Sequence, residues 1–367
     1  MRIRYRLAAP LGLALLLAGC SVRDTLFGPG VLGTDQAYIV TTDFTTGALS
    51  VIDLDTRAVT PNVAPIHSDA TLRTYNGLIY VLNRFGQDNV QIIDPLDNFA
   101  TRRQFSTGNG SNPQDIAFLS PVKAYVSRYG SADLLIIDPR DGAQRGVISL
   151  AGLADGDGLP EMAQMTLVGP YLYVACQRLT NFFAANPSVI AIIDTRTDRL
   201  VDAVPLTPGV QGIPLAGRNP FSDLVYDAAA NELLVACAGD FGVTDGGIER
   251  INVSTRQSLG FAVTEAAVAG DIVDLAWNTA AHSYAVVSDA GFNTSLIAWN
   301  TAGAVLDTVY APGGFSIADV AVNNRAEVYV CDSQLATPGV RVFRAVADTL
   351  LAGPIVTGLP PNQVAFR

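Results

Sequence analysis

From about residue 37 onward the chain alternates short apolar bursts with turn-forming residues, the period of half-buried strands rather than of helices. Three phrases recur in a fixed order. One opens on a polar residue: Asp115-Ile116-Ala117-Phe118, Asp223-Leu224-Val225-Tyr226, Asp274-Leu275-Ala276-Trp277 and Asp319-Val320-Ala321-Val322, with looser copies at Asp69-Ala70-Thr71-Leu72 and Gln164-Met165-Thr166-Leu167. The next is aromatic and β-branched: Tyr38-Ile39-Val40-Thr41, Tyr80-Val81-Leu82-Asn83, Tyr125-Val126-Ser127-Arg128, Tyr173-Val174-Ala175-Cys176 and Tyr329-Val330-Cys331-Asp332. The last ends on a turn former: Ser50-Val51-Ile52-Asp53, Gln91-Ile92-Ile93-Asp94, Leu135-Ile136-Ile137-Asp138 and Ala191-Ile192-Ile193-Asp194, with weaker Arg250-Ile251-Asn252 and Ala298-Trp299-Asn300.

Successive copies of the opening phrase begin at 69, 115, 164, 223, 274, 319 and 363, each step long enough for a four-stranded antiparallel sheet with its turns. The last copy, Gln363-Val364-Ala365-Phe366, has no second phrase after it, whereas the N-terminal unit starts at its second strand, Ala37 to Phe44. Pairing the orphan Asn362–Arg367 into that unit completes it and closes the ring. The expected fold is therefore all-β: seven four-stranded antiparallel blades over 37–367, a β-propeller in which closure leaves no terminal blade with a bare apolar face.

The first nineteen residues differ. Arg2, Arg4 and Arg6 precede an apolar run from Leu7, too short to span a bilayer, that closes on Leu17-Ala18-Gly19-Cys20. Residues 1–19 read as an export signal. The closing residues resemble the lipobox of bacterial lipoproteins, which implies acylation of Cys20, and Ser21 in place of an aspartate implies delivery to the outer membrane. Residues 20–36, with Gly28-Pro29-Gly30, read as a flexible tether, and the propeller is expected to face the periplasm or the cell surface.

Composition excludes several alternatives. With 49% apolar and 16% charged residues the chain is neither disordered nor a coiled coil, and a net charge of −11 argues against nucleic acid as a partner. Cys176, Cys237 and Cys331 are odd in number and follow apolar residues in strand phrases, as small buried thiols do.

The repeated Tyr-Val strand followed by Ile-Asp resembles the YVTN-type β-propeller repeats of bacterial and archaeal periplasmic and cell-surface proteins, with Tyr80-Val81-Leu82-Asn83 nearest the signature. Leu234-Val235-Ala236-Cys237 and Ala285-Val286-Val287-Ser288 depart from it. The resemblance implies a seven-bladed scaffold for binding or surface architecture; some related propellers are lactonases or lyases.

Candidate chemistry is thin. Asp53, Asp94, Asp138 and Asp194 read as turn residues. The first residue of each innermost strand gives a channel-mouth ring of Asp69, Asp115, Gln164, Asp223, Asp274, Asp319 and Gln363, either capping backbone N–H groups or recruiting a cation. Loops at Ala151–Glu161, Arg178–Pro187 and Thr207–Ser222 are long and on the same side, and with their neighbours they supply the expected ligand-binding residues Arg84, Arg128, Tyr129, Arg178, Phe182, Phe183, Arg218 and Asn219. Asp155, Asp157 and Glu161 could hold Ca²⁺ but lack EF-hand spacing. His67 and His282 fall at different strand ends, and no nucleophile elbow, phosphate loop or zinc motif occurs, so no catalytic residue and no cofactor is expected. These features predict a non-catalytic envelope lipoprotein binding a protein, peptide or glycan, with a metal-assisted, lactonase-like hydrolase as the alternative.

Overall fold

The computed structural model describes residues 35–367; the expected export signal, Cys20 and most of the expected tether lie outside the described residues. Seven antiparallel sheets of four strands follow one another around a ring. Blade 2, for example, runs Ala70–Tyr75, Leu78–Asn83, Asn89–Asp94 and Ala100–Ser106 from the channel outward. Blade 1 is composite: Pro361–Phe366 from the C-terminus is its innermost strand, paired with Gln36–Thr42, then Gly47–Asp53 and Val59–Ile66. The closing register sets Ile39 opposite Val364 and Tyr38 opposite Ala365, as the displaced phrase requires.

The core is divided into seven apolar clusters, one between each pair of neighbouring blades. At the closing interface Tyr329, Cys331 and Val340 of blade 7 pack on Ala37, Ile39 and Ile52 of blade 1, so closure buries the same kind of surface as every other interface. All three described cysteines are free and buried, and burial pushes the Cys176 thiol up to about 12. Trp299 is fully buried beside Trp277 within the blade 5–6 cluster.

The structure gives the tyrosine of the Tyr-Val phrase a physical role. Its ring is buried while its hydroxyl reaches the outer turn of the next blade: Tyr125 donates to Asp198 at 2.7 Å and Tyr80 to the Pro139 carbonyl at 3.2 Å, and Tyr284, at the same strand position of blade 6 without the following valine, donates to Asp348 at 2.8 Å. These bonds stitch the face on which strands three and four are joined, here the lower face. The Ile-Asp aspartates lie on it too. Asp138 accepts from the Arg140 backbone N–H and from the Arg140 and Arg145 guanidinium groups, and Gly142 completes the turn at φ 75°, where a Cβ would come within 2.1 Å of the Phe105 ring.

Blade 4 is the irregular member. Its outer strand, Arg199–Val201, stops early, and Ile213–Pro214 takes over the pairing with Val189 and Ile190 after an excursion. The loop expected to run from Thr207 to Ser222 over the upper face therefore leaves from the outer edge, and only its later part reaches that face.

Candidate functional site

Where strands two and three are joined, on the upper face, the axial channel opens into a cavity of about 780 Å³. Its wall includes Gln164, Asp223, Asp274, Asp319 and Gln363 from the expected ring. The ring register follows from the sheet pairing. The residue after each ring position lies opposite the residue after the strand-two tyrosine: Ile116 opposite Val126, Met165 opposite Val174, Val320 opposite Val330. In blade 2 that residue is Leu72, opposite Val81. The blade 2 ring member is thus Thr71, and Asp69, two residues earlier, is corrected to a position outside the ring, where Arg84 binds it at 2.5 Å. The ring holds four carboxylates, not five.

Most ring groups fasten one blade to the next. Asp115 accepts from the Met165 N–H, Asp274 from Val320, Asp319 from Val364 and Gln363 from Leu72, at 2.8–3.0 Å. Asp223 takes part in no such bond. Its two oxygens face Arg73, whose Nη1 and Nη2 reach them at 2.9 and 2.7 Å while Nε reaches Asp115 at 2.7 Å. Arg73 stands two residues past the ring position, where the other blades carry Ala117, Thr166, Val225, Ala276, Ala321 and Ala365. It was not among the expected site residues; the signal was a single large cation at a repeat position otherwise small and uncharged.

The electrostatics divide the ring. Asp223 titrates below its usual range because Arg73 outweighs burial. Burial and the neighbouring Asp223 push Asp274 up to about 7, and burial together with Asp274 carries Asp319 well above the ordinary carboxylate range. Asp319 accepts its inter-blade bond through Oδ2. The Gln164 Oε1 is buried without a hydrogen-bond partner.

The expected arginines are largely occupied. Arg128 donates to the carbonyls of Asp133 and Thr107, Arg178 to that of Pro187, and Arg218 to that of Ala184 and to Asp245. Arg84 divides itself between Asp69 and Gln114 but still borders the cavity. Asn219 is buried and Tyr129 half-buried, its phenol pushed up to about 12 by burial. Phe182 and Phe183 are exposed, yet they do not line the cavity.

What surrounds the mouth is apolar. Phe44, Phe221, Phe241, Phe315 and Leu335 line it, and Phe44 and Leu335 are 85% and 102% exposed. All eight exposed phenylalanines among the described residues, these four with Phe85, Phe182, Phe183 and Phe292, lie in upper-face loops. Sequence reading picked out two of them and missed the recurrence of an aromatic just past the second strand in blades 1, 2, 5 and 6.

Asp155, Asp157 and Glu161 form a compact trio, their oxygens within 4.8 Å of one another. Glu161 is buried and pushed up to about 8 by desolvation and both aspartates. Its Oε2 accepts from the Leu179 N–H, and Asp155 accepts from Asn186 at 2.5 Å. His67 sits on the upper face with Nδ1 3.0 Å from the Asp69 carbonyl, whereas His282 pairs with Asp348 below.

No protein-family model and no curated protein matches the chain. Solved structures match its fold. A "putative 6-phosphogluconolactonase" from Bacteroides fragilis is 14% identical, with 93% of this chain and 100% of that one covered and a TM-score of 0.61. Dihydro-heme d1 dehydrogenase NirN is 14% identical over 90% of this chain and 74% of that one, at 0.56, and a chain of the mitotic checkpoint complex is 14% identical over 91% and 96%, at 0.52. At such identities the likeness extends to the seven-bladed β-propeller fold and no further.

Proposed function

We propose that the chain is a membrane-anchored cell-envelope β-propeller that binds a polypeptide partner through its upper face and performs no chemistry there. The observation that carries this reading is the one-sided placement of all eight exposed phenylalanines of the described residues in upper-face loops, four of them lining the channel mouth. Exposed aromatic surface concentrated on one face, with a cavity at its centre, is the composition of a docking surface. The occupied carboxylates support binding over catalysis, as three hold backbone N–H groups across blades and the fourth holds Arg73.

A photo-crosslinking residue placed at Phe315 or at lower-face Leu96, in cells producing the full chain, tests this. A discrete polypeptide adduct is expected from position 315 alone; equal adducts from position 96, or none from 315, would overturn the docking face. Hydrolysis of a lactone by the purified chain, abolished by EDTA, would overturn the non-catalytic part. Replacing Cys20 with serine should release the chain from membranes, and unchanged membrane association would remove the anchor.

A further inference from the structure

We infer that the axial cavity recognises an organic cation, an ammonium or guanidinium group carried on an apolar stem, held by Asp274 and Asp319 beneath the phenylalanine rim. The inference rests on the docking face proposed above and names what enters its centre.

Asp223, Asp274 and Asp319 all line the cavity, and the two cations beside them, Arg73 and Arg84, are both engaged, Arg84 by Asp69 and Gln114. Arg73 reaches only one side of the ring, with its fork engaged by Asp115 and Asp223 at 2.7–2.9 Å. It is an internal example of what this ring accepts: a planar nitrogen cation bound by facing carboxylates. Asp274 and Asp319, on adjacent blades, face the same space with no guanidinium of their own. Their backbone donors, Leu275, Val320 and Val364, leave one Asp319 oxygen without a hydrogen bond from the protein. A further acceptor stands across the cavity, since the Gln164 amide has an oxygen with no donor and can turn to present it.

The walls above the carboxylates fit the rest of such a ligand. Phe315, Leu335 and Phe44 offer apolar contact to a methylene stem and aromatic faces to a cation on its way in. Charge agrees, because a chain of net −11 attracts a basic partner from a distance. Desolvation and the neighbouring carboxyls raise the titration of Asp274 and Asp319 by more than Arg73, which is bonded elsewhere, lowers it.

The test uses the full-length chain in detergent with defined probes: n-butylguanidine, butyrate, and a pair of acetylated, amidated peptides, Phe-Ala-Lys-Ala-Phe and its norleucine counterpart, followed by calorimetry at pH 8. The lysine peptide and n-butylguanidine should bind one per chain and butyrate should not, with the norleucine peptide weaker by about 10-fold or more. Asp274→Asn with Asp319→Asn keeps the backbone acceptors and should weaken both cations by a similar factor, whereas Asp138→Asn on the lower face should leave them unchanged. Equal binding of the lysine and norleucine peptides, or of butyrate, would overturn the inference without recourse to any variant. So would cation binding indifferent to the paired substitution. A lysine peptide that binds far more tightly than n-butylguanidine, and is weakened by Phe315→Ser, identifies a partner's side chain; equal affinities identify a free amine. If no cation binds while position 315 still crosslinks to a partner, the docking face stands and the cation falls.

Discussion

Two sets of aspartates occupy repeat positions in this propeller, and their surroundings drive them in opposite directions. On the lower face Asp138 and Asp194 are held by arginines two residues away and by turn N–H groups, which lower the titration of both and bring Asp194 to about 2. In the channel Asp274 and Asp319 hold comparable backbone bonds yet titrate far above the ordinary range. Hydrogen bonding to N–H groups is common to both sets. The difference lies in the counter-charge and in the company of other buried carboxyls, so a repeat position does not by itself assign an aspartate its role.

Opening the ring should break the contrast altogether. Deleting residues 361–367 removes the innermost strand of blade 1 and the Val364 N–H that Asp319 holds, and should cost more than about 3 kcal/mol in denaturant unfolding. A truncated chain as stable as the parent would show that closure contributes nothing. Next in size, Arg73→Met leaves Asp115 and Asp223 without their partner. The loss should be about 2 kcal/mol at pH 8, below that of a fully buried pair because channel water screens Asp223. Arg73 lowers the Asp223 titration, so this gap should be complete above an unfolded value near 4 and shrink as pH falls below it.

The smallest effects sharpen the comparison. Asp274 binds its proton more tightly in the folded state, so ionising it destabilises the parent as pH rises from about 4 to about 7. Asp274→Asn should therefore gain on the parent across that window, by about 1 kcal/mol at pH 8, and match it at pH 4. Asp138→Asn should run the other way, with a smaller loss present at pH 7 that begins to shrink as pH falls below 4. Thermal melts of the two variants over pH 3–8 read both, and slopes of the same sign would show that the two sets do not differ as described.

The contrast also marks how far the chain could be read without its structure. The seven blades, the split blade and the closing strand were legible because each is a local pattern repeated, and strand pairing needs little more than alternation and turn chemistry. Register was less legible. In blade 2 Asp69 resembled the ring aspartates in sequence, and only the pairing of Leu72 with Val81 shows that Thr71 holds that position. The surroundings of the expected arginines were not legible either, because Arg128 and Arg218 find carbonyls and a carboxylate contributed by other loops. The exposed phenylalanines were under-read, since they come from loops spread along the chain from Phe44 to Phe315 and gather on one face, four of them at the channel mouth, only in the folded ring.

The amino-acid sequence by itself determined the number of blades, the composition of each blade and the manner of closure, since these depend on residues near one another along the chain and on one displaced phrase. Only the tertiary structure decided which carboxylates meet Arg73, which face one another uncompensated and where the aromatic surface gathers. Arg73 and Asp223 are 150 positions apart, and their bond depends on the rotation of every blade between them. The energy of a charge in the channel depends on all groups that share the space, and no local pattern encodes that sum.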